Sequence, residues 1–199
     1  MKINVVIFDL DGTITEPILD FDQIRKEIGF GPHAGTILEE MEHMTELEKK
    51  RAFAIIDAHE TAAVEKSRLN AGVRETLDYL AVKKIQTGII TRNTKENALA
   101  VAAKHSLNFD HIVDRFDGPV KPDAWGVLRL CEIFNTPPEQ VIVVGDFLHD
   151  VQAARAAGAV SVLLKNHKNA HDFLPWSDYS IDRIDELISL IQKLYSRKV

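Results

Sequence analysis

The chain has 199 residues, of which 45% are hydrophobic and 27% charged, and its 24 basic and 30 acidic side chains give a formal charge of −6. This is the composition of a globular protein with one well-buried domain and room for a small second unit, so it argues against intrinsic disorder. The negative charge, with no basic stripe along the chain, argues against a nucleic-acid-binding protein.

The first predicted element is an apolar run of strand type that starts at Ile3 and ends at Phe8. It is too short to span a membrane, and it is typical of a buried strand. Asp9 and Asp11 follow one residue apart, and Gly12 then permits a tight turn. Carboxylates held close at the mouth of a buried strand do not both ionise unless a cation or a donor compensates. The pattern therefore predicts a metal site, with a solvated acidic turn as the alternative.

Helical periodicity follows, from Asp20 to about Arg68, and we predict a helical insert over residues 16–70. The apolar positions of a first amphipathic helix are Ile37, Leu38, Met41 and Met44. A capping-box pattern, Thr45-Glu46-Leu47-Glu48, opens a second helix, whose apolar stripe is Ala52, Ile55, Ile56, His59 and Ala63. A packed core role is favoured for His59 over a substrate contact. A loop or hinge before these helices is indicated by Gly29, Gly31, Pro32 and Gly35.

From Ala71 onward helix and strand patterns alternate, as in a parallel sheet covered by helices. The predicted strands are residues 85–90, 110–113, 141–144 and 160–164, and the predicted helices are residues 73–82, 94–105, 123–134, 147–157 and 183–195. Gly158 is a C-terminal cap signal, and Thr136-Pro137-Pro138-Glu139 has the pattern of a second capping box. The single cysteine, Cys131, excludes a disulfide framework and is interpreted as a buried packing thiol. The absence of a signal-peptide pattern and of a long apolar run leads us to expect a cytoplasmic protein that does not act at a membrane.

Polar residues follow three of the predicted strands. They are Asp9, Thr91 and Asp146. In an open parallel sheet ligands bind outside the carboxyl ends of the strands, so we expect these three side chains to converge on one crevice.

The same positions carry a family resemblance. Asp9-Leu10-Asp11-Gly12-Thr13 resembles the first motif, Asp-x-Asp-Gly-Thr, of phosphatases in the haloacid dehalogenase superfamily. Thr91 matches the second motif, Lys121 the third, and Gly145-Asp146 with Asp150 the fourth. The resemblance implies an α/β fold with a Rossmann-like three-layer α/β/α core and a parallel sheet, formed by residues 1–15 and 71–199. It also implies that residues 16–70 are a small helical cap inserted after the first strand.

The resemblance further implies a role for each matched residue. Asp9 is the expected nucleophile and Asp11 the expected general acid and base. The second aspartate favours phosphoryl transfer over dehalogenation. The expected cofactor is Mg²⁺, held by Asp9, the backbone carbonyl of Asp11 and Asp146, with Asp150 as a ligand or as support. Thr91 is expected to donate a hydrogen bond to the phosphoryl oxygens, and Lys121 to hold both that group and Asp9 by charge.

Alternatives stay open for several of these residues. The less favoured alternatives are that Asp146 is the N-cap of the helix that follows, that Asp150 is a solvated acid in its first turn, and that Lys121 is an exposed surface lysine. Asn93 is either a helix cap or a phosphate contact. Two departures from the usual motifs, Ala124 and Phe147, remove no catalytic group but put the substrate in doubt.

We therefore predict a magnesium-dependent phosphatase that hydrolyses a small phosphorylated metabolite through an aspartyl phosphate, similar to phosphoglycolate phosphatase. The alternatives are a sugar phosphomutase similar to beta-phosphoglucomutase and a non-catalytic regulatory member of the fold. Residues 16–70 hold 12 Asp/Glu and 7 Lys/Arg, a charge of −5, so local basic residues would have to meet an anionic substrate. Arg25 and Lys26 are candidates, although a solvated helix face is favoured for both.

Overall fold

The computed structural model describes residues 2–31 and 36–196, and the chain divides into two compact units. The core unit combines Met1–Pro17 with Arg68–Val199, and the helical unit is Ile18–Ser67. These divisions lie within three residues of the boundaries predicted at residues 16 and 70. Within the described part of the chain, no helix is both long and apolar enough to cross a membrane.

The helical unit consists of α1 (Phe21–Ile28), α2 (Ile37–Met41) and α3 (Glu46–Lys66). The predicted capping box at Thr45 is confirmed, because the Thr45 side chain accepts from the Glu48 N–H while the Glu48 carboxylate accepts from the Thr45 N–H. The buried side chains that hold the three helices together are Ile24, Ile37, Met41, Ala52 and Ile56.

The core role predicted for His59 is wrong. Its ring is 28% exposed and its Nε2 atom lies 2.9 Å from the Glu27 carboxylate. The buried line along α3 instead runs at every fourth residue through Ala52, Ile56, Glu60 and Val64. Of the residues predicted to form a hinge, Gly29 ends α1 in a left-handed conformation, while Pro32 and Gly35 lie outside the described residues.

In the core unit the described strands are β1 (Val5–Phe8), β2 (Gln86–Ile90), β3 (His111–Val113), β4 (Val141–Gly145), β5 (Val160–Leu164) and β6 (Tyr179–Ile181). They form one parallel sheet in the order β3-β2-β1-β4-β5-β6. The predicted α/β class with a Rossmann-like parallel sheet is confirmed. The chain leaves β1 towards β2 on one side and leaves the neighbouring β4 towards β5 on the other, which makes the carboxyl ends of β1 and β4 the topological switch point of the sheet.

The helices of the core unit are α4 (Val73–Val82), α5 (Lys95–Lys104), α6 (Trp125–Ile133), α7 (Leu148–Ala157), α8 (Ala170–Phe173) and α9 (Glu186–Ser196). One face of the sheet, which includes Val5 and Ile7, packs against α6 and α7. α4 contacts β2 and α9, and we assign these two helices to the opposite face. Every residue of β1 is 0% exposed, which explains why the strand is a continuous apolar run rather than an alternating one.

Cys131 is buried and free on the α6 face, as predicted, and burial raises the pKa of its thiol to about 11. The second predicted capping box is wrong. Only a single 3₁₀ turn, Pro138–Gln140, fits before β4, and its N-cap is Pro137. The Thr136 hydroxyl donates instead to the Phe134 carbonyl, 3.1 Å away.

Candidate active site

The turn after β1 carries the two aspartates of the first motif. The backbone N–H groups of Thr13, Ile14 and Thr15 all donate to the Leu10 carbonyl, at 2.9 to 3.3 Å, so the chain folds tightly back on itself. Gly12 has a φ of +92°, and a Cβ at this position would overlap the Asp146 carboxylate. Only glycine therefore satisfies both the backbone conformation and the close approach of Asp146.

Two asparagines hold this turn from outside the motif. The Asn70 amide lies 2.8 to 2.9 Å from the carbonyls of Gly12, Thr13 and Thr15, and the Asn166 amide also donates to Gly12. The turn is thus held by the segments that follow the helical unit and β5.

Lys121 lies between two carboxylates of the site. Its ammonium donates to Asp9 at 2.5 Å and to Asp150 at 2.6 Å, and the residue is only 4% exposed. Burial opposes its charge, but attraction from Asp150 and Asp9 outweighs burial and raises the Lys121 pKa above its ordinary value. Lys121 is therefore a buried, paired cation inside the site, and the alternative of an exposed surface lysine is wrong.

Asp9, Asp146 and Asp150 form a carboxylate cluster in which one oxygen of each residue lies within 4.8 Å of the others. Burial raises the pKa of Asp9 to about 7, and repulsion by Asp150 adds to this effect while Lys121 opposes it. Burial, followed by repulsion from Asp9 and Asp150, also raises the pKa of Asp146 well above its ordinary value. The cluster thus carries more negative charge than Lys121 alone offsets.

This donor set fits a divalent cation. Three carboxylates supply hard oxygen ligands of the kind that divalent cations such as Mg²⁺ prefer, and a cation would remove the repulsion that raises the pKa values of Asp9 and Asp146. The close approach of the chain here also explains Gly145, because a Cβ at this residue would overlap the Asp150 carboxyl group.

The loop after β2 brings Thr91 to the same edge of the sheet. Thr91 is 3% exposed, and its hydroxyl oxygen accepts from the Asn93 N–H at 2.9 Å. The hydroxyl hydrogen is not used in that bond, so Thr91 keeps a donor. Asp11 is half-buried, and its Oδ2 atom accepts from the Asn93 amide at 2.9 Å.

The capping alternatives are overturned. The N-cap of α7 is Phe147 rather than Asp146, and Asp150 is 3% exposed, so it is not a solvated acid. The N-cap of α5 is Thr94, whose side chain accepts from the Asn97 N–H, and so Asn93 is not the cap.

Sequence reasoning missed Asn70 and Arg115. Asn70 falls in the predicted insert, and no local pattern links it to a turn more than fifty residues earlier. Arg115, 7% exposed, donates to the Arg92 carbonyl at 3.0 Å.

The two departures from the usual motifs have structural roles. Phe147 makes edge-to-face contacts with His149, His167 and Phe173. Ala124 packs against the α6 face.

Comparison with known proteins agrees with this arrangement. The family described as haloacid dehalogenase-like hydrolase matches residues 3–158. An uncharacterized hydrolase of Saccharomyces cerevisiae is 33% identical over 96% of this chain and 92% of its own length. A phosphoglycolate phosphatase of Chromobacterium violaceum is 26% identical over 96% of this chain and 97% of its own.

The fold is likewise shared with a solved structure, beta-phosphoglucomutase of Clostridium difficile, with a TM-score of 0.77 and 21% identity. That alignment covers 98% of this chain and 97% of the other. The strand-end carboxylates, the buried lysine and the sheet order therefore occur together with a family match over most of the sequence. The chain belongs to the haloacid dehalogenase-like hydrolases.

Proposed function

We propose that the protein is a magnesium-dependent phosphatase that hydrolyses a small phosphorylated metabolite through an aspartyl phosphate on Asp9. The observation that carries the proposal is the buried Lys121 ammonium held between Asp9 and Asp150, with Asp146 completing the carboxylate cluster. Phosphatase activity is supported by the family and by relatives named as phosphatases. The choice of Mg²⁺, the aspartyl-phosphate intermediate and the class of substrate go beyond what the family and these relatives support, and they are our proposals.

Asp9 is the proposed nucleophile. One of its carboxylate oxygens attacks phosphorus while the bond from phosphorus to the leaving oxygen breaks, so one difficult hydrolysis becomes two easier steps. Lys121 favours the ionised form of Asp9 that attack requires, and it holds the phosphoryl group by charge. The Thr91 hydroxyl donates to a phosphoryl oxygen.

Asp11 is the proposed general acid and base. It gives a proton to the leaving oxygen in the first step, and in the second step it takes a proton from the water that attacks the aspartyl phosphate. Two aspartates can take these different roles only if their surroundings differ. Asp9 accepts a hydrogen bond from the Lys121 ammonium, whereas Asp11 accepts one from the neutral amide of Asn93.

The residues proposed to hold Mg²⁺ are Asp9, Asp146, Asp150 and the backbone carbonyl of Asp11. When bound there, the ion would neutralise charge on the cluster and on the transferring group. Calcium should substitute poorly, because it takes more ligands in a looser geometry.

We also propose that the helical unit acts as a cap that selects the substrate. Its small size favours a metabolite over a protein substrate, and its lack of net positive charge leaves recognition of anions to individual residues.

The test is phosphate release from a panel of phosphorylated metabolites, measured with the wild-type protein and with Asp9→Asn purified in parallel. We expect stoichiometric inorganic phosphate from at least one small substrate, loss of activity in excess chelator, and recovery with magnesium. An isomeric sugar phosphate in place of free phosphate would show a mutase. Failure of every substrate to turn over would favour a regulatory protein, and full activity in chelator would contradict the metal proposal.

A further inference from the structure

Asn93 is buried in the loop after β2, and its side-chain amide faces Asp11. The residue is 3% exposed, and its Nδ2 atom donates to Asp11 Oδ2 at 2.9 Å. Since Thr94 caps α5, this amide is not needed to begin the helix. Its contact with Asp11 therefore calls for another explanation.

The orientation of the Asn93 amide is determined by its neighbours. Its oxygen accepts from the Thr94 N–H at 2.7 Å and from the Asn97 amide at 2.9 Å. Because both of these neighbours are donors, the side-chain oxygen of Asn93 must face them. The NH₂ group of Asn93 must therefore point to Asp11. The Asn93 N–H meanwhile donates to the Thr91 hydroxyl oxygen, which places the contacts to Asp11 and to Thr91 on the same residue.

The loop that carries Asn93 is also held from β3. Arg115 follows that strand, and its guanidinium donates to the Arg92 carbonyl at 3.0 Å, while its own N–H approaches the Asn93 carbonyl at 3.4 Å. The backbone carbonyls of Arg92 and Asn93 are thus both held by the buried Arg115. Asn93 therefore meets Asp11 as a group whose position is already set, so little order is lost when the bond forms.

We propose that Asn93 is a positioning residue for the acid and base Asp11. By holding Oδ2, the amide fixes the rotamer of the Asp11 carboxylate and leaves Oδ1 as the oxygen that gives and takes the proton. The inference rests on the proposed function, because it assigns Asn93 a part in the proton transfer that Asp11 performs. Asn93 need not touch the substrate for this role.

The experiment measures kcat/KM for a series of substituted phenyl phosphates of similar size, from dinitrophenyl phosphate to phenyl phosphate. In a phosphoenzyme mechanism this constant reports the first step, in which Asp11 acts as the acid. A dinitrophenolate leaves without a proton, whereas a phenolate is helped by one. Loss of the acid therefore makes kcat/KM depend more steeply on the acidity of the phenol that leaves. A general loss of structure instead lowers kcat/KM by the same factor for all substrates.

We expect Asn93→Ala to lose about 10- to 100-fold in kcat/KM with phenyl phosphate and less than about threefold with dinitrophenyl phosphate. The first loss is smaller than the roughly 10²- to 10⁴-fold of a whole general acid, because Asp11 itself is retained. Asn93→Asp keeps the shape but replaces the donor with an acceptor that repels Asp11, so its loss with phenyl phosphate should be at least as large. In an Asp11→Asn background, Asn93→Ala should add less than about threefold, because residues that act as one unit are not additive.

Asn70→Ala is the matched control, because it removes an amide that holds the same turn through backbone carbonyls only. It should lower all substrates in the same ratio. If Asn93→Ala does not fold, as judged by thermal melting, Asn97→Ala tests the same point by removing one donor from the Asn93 oxygen. Asn97→Ala should also make kcat/KM depend more steeply on the leaving group, but by a smaller amount than Asn93→Ala.

If Asn93→Ala and Asn97→Ala both lowered kcat/KM by the same factor for every phenyl phosphate, the positioning role would be overturned and the proposed phosphatase function would stand. The role would also be overturned if Asn93→Ala lowered kcat/KM as much in the Asp11→Asn background as it does in the wild-type protein. If the wild-type protein hydrolysed no member of the series and no metabolite, the proposed function would fail and this inference with it.

Discussion

The core unit and the helical unit bury different kinds of residue. In the core unit Asp9, Lys121, Asp146 and Asp150 are all less than 10% exposed; Lys121 is paired with Asp9 and Asp150, and Asp146 lies beside these two carboxylates. Among the described residues of the helical unit, Glu60 is the buried charged side chain and Ser67 is a buried polar one, while the cluster that joins its helices is apolar. Because buried charges are costly unless they are paired or used, the comparison locates the chemistry in the core unit.

The largest expected effect is that of Asp9→Asn. The amide cannot attack phosphorus, so turnover should fall to background and no phosphoenzyme should form. The replacement has nearly the same volume, so the protein should stay folded. Intact-mass measurement after an acid quench should show no added phosphoryl group. A labelled Asp9→Asn protein would mean that the roles of the two aspartates are reversed.

Asp11→Asn should have a smaller effect and a different signature. It keeps the nucleophile and the backbone carbonyl but removes the proton shuttle, so the rate should fall by about 10²- to 10⁴-fold. With a substrate whose leaving group needs little protonation, the aspartyl phosphate should accumulate, because water attack has lost its base. The acid-quenched protein should then carry one added phosphoryl group. Background turnover without any trapped intermediate would contradict this assignment.

These two predictions rest on residues that sequence patterns identified, and the reason is physical. The ends of β1 and β4 are recognisable because these buried parallel strands are uninterrupted apolar runs, so the polar residue after each run stands out. In β2 only the final pair, Ile89-Ile90, gives this signal before Thr91. β6 has only one buried residue in three and was not predicted. The contact between Asn93 and Asp11 depends on a side-chain orientation between positions 82 residues apart, which no periodicity encodes.

A matched pair of cavity variants would sharpen the comparison between the units. Ile7 is 0% exposed in β1 and Ile56 is 5% exposed in α3, and replacing either by alanine should cost about 2–5 kcal/mol in the unit that contains it. Hydrogen exchange should show that Ile56→Ala lowers the protection of amides in residues 18–67 and leaves β1 and β4 protected. Ile7→Ala should lower protection across the sheet. Equal loss in both units from Ile56→Ala would show that they unfold together.

The smallest expected effect is at the surface of the helical unit, where Glu27 and His59 are paired at 2.9 Å with side chains 40% and 28% exposed. Hydrogen bonds from Gln23 and then His59 lower the pKa of Glu27 below its ordinary value. The carboxylate therefore contributes stability above that ordinary value, and the contribution is lost as the pH falls through the lowered pKa of the folded state. Near neutral pH, Glu27→Gln should lower the amide protection of α1 slightly more than Glu42→Gln, a matched loss of one exposed charge in the same unit. At a pH below the folded-state pKa the two variants should be indistinguishable, because the wild-type carboxyl group is then protonated as well. A difference that persisted below the folded-state pKa of Glu27 would contradict the sign of this linkage, because it would mean that Glu27 is stabilising in its neutral form.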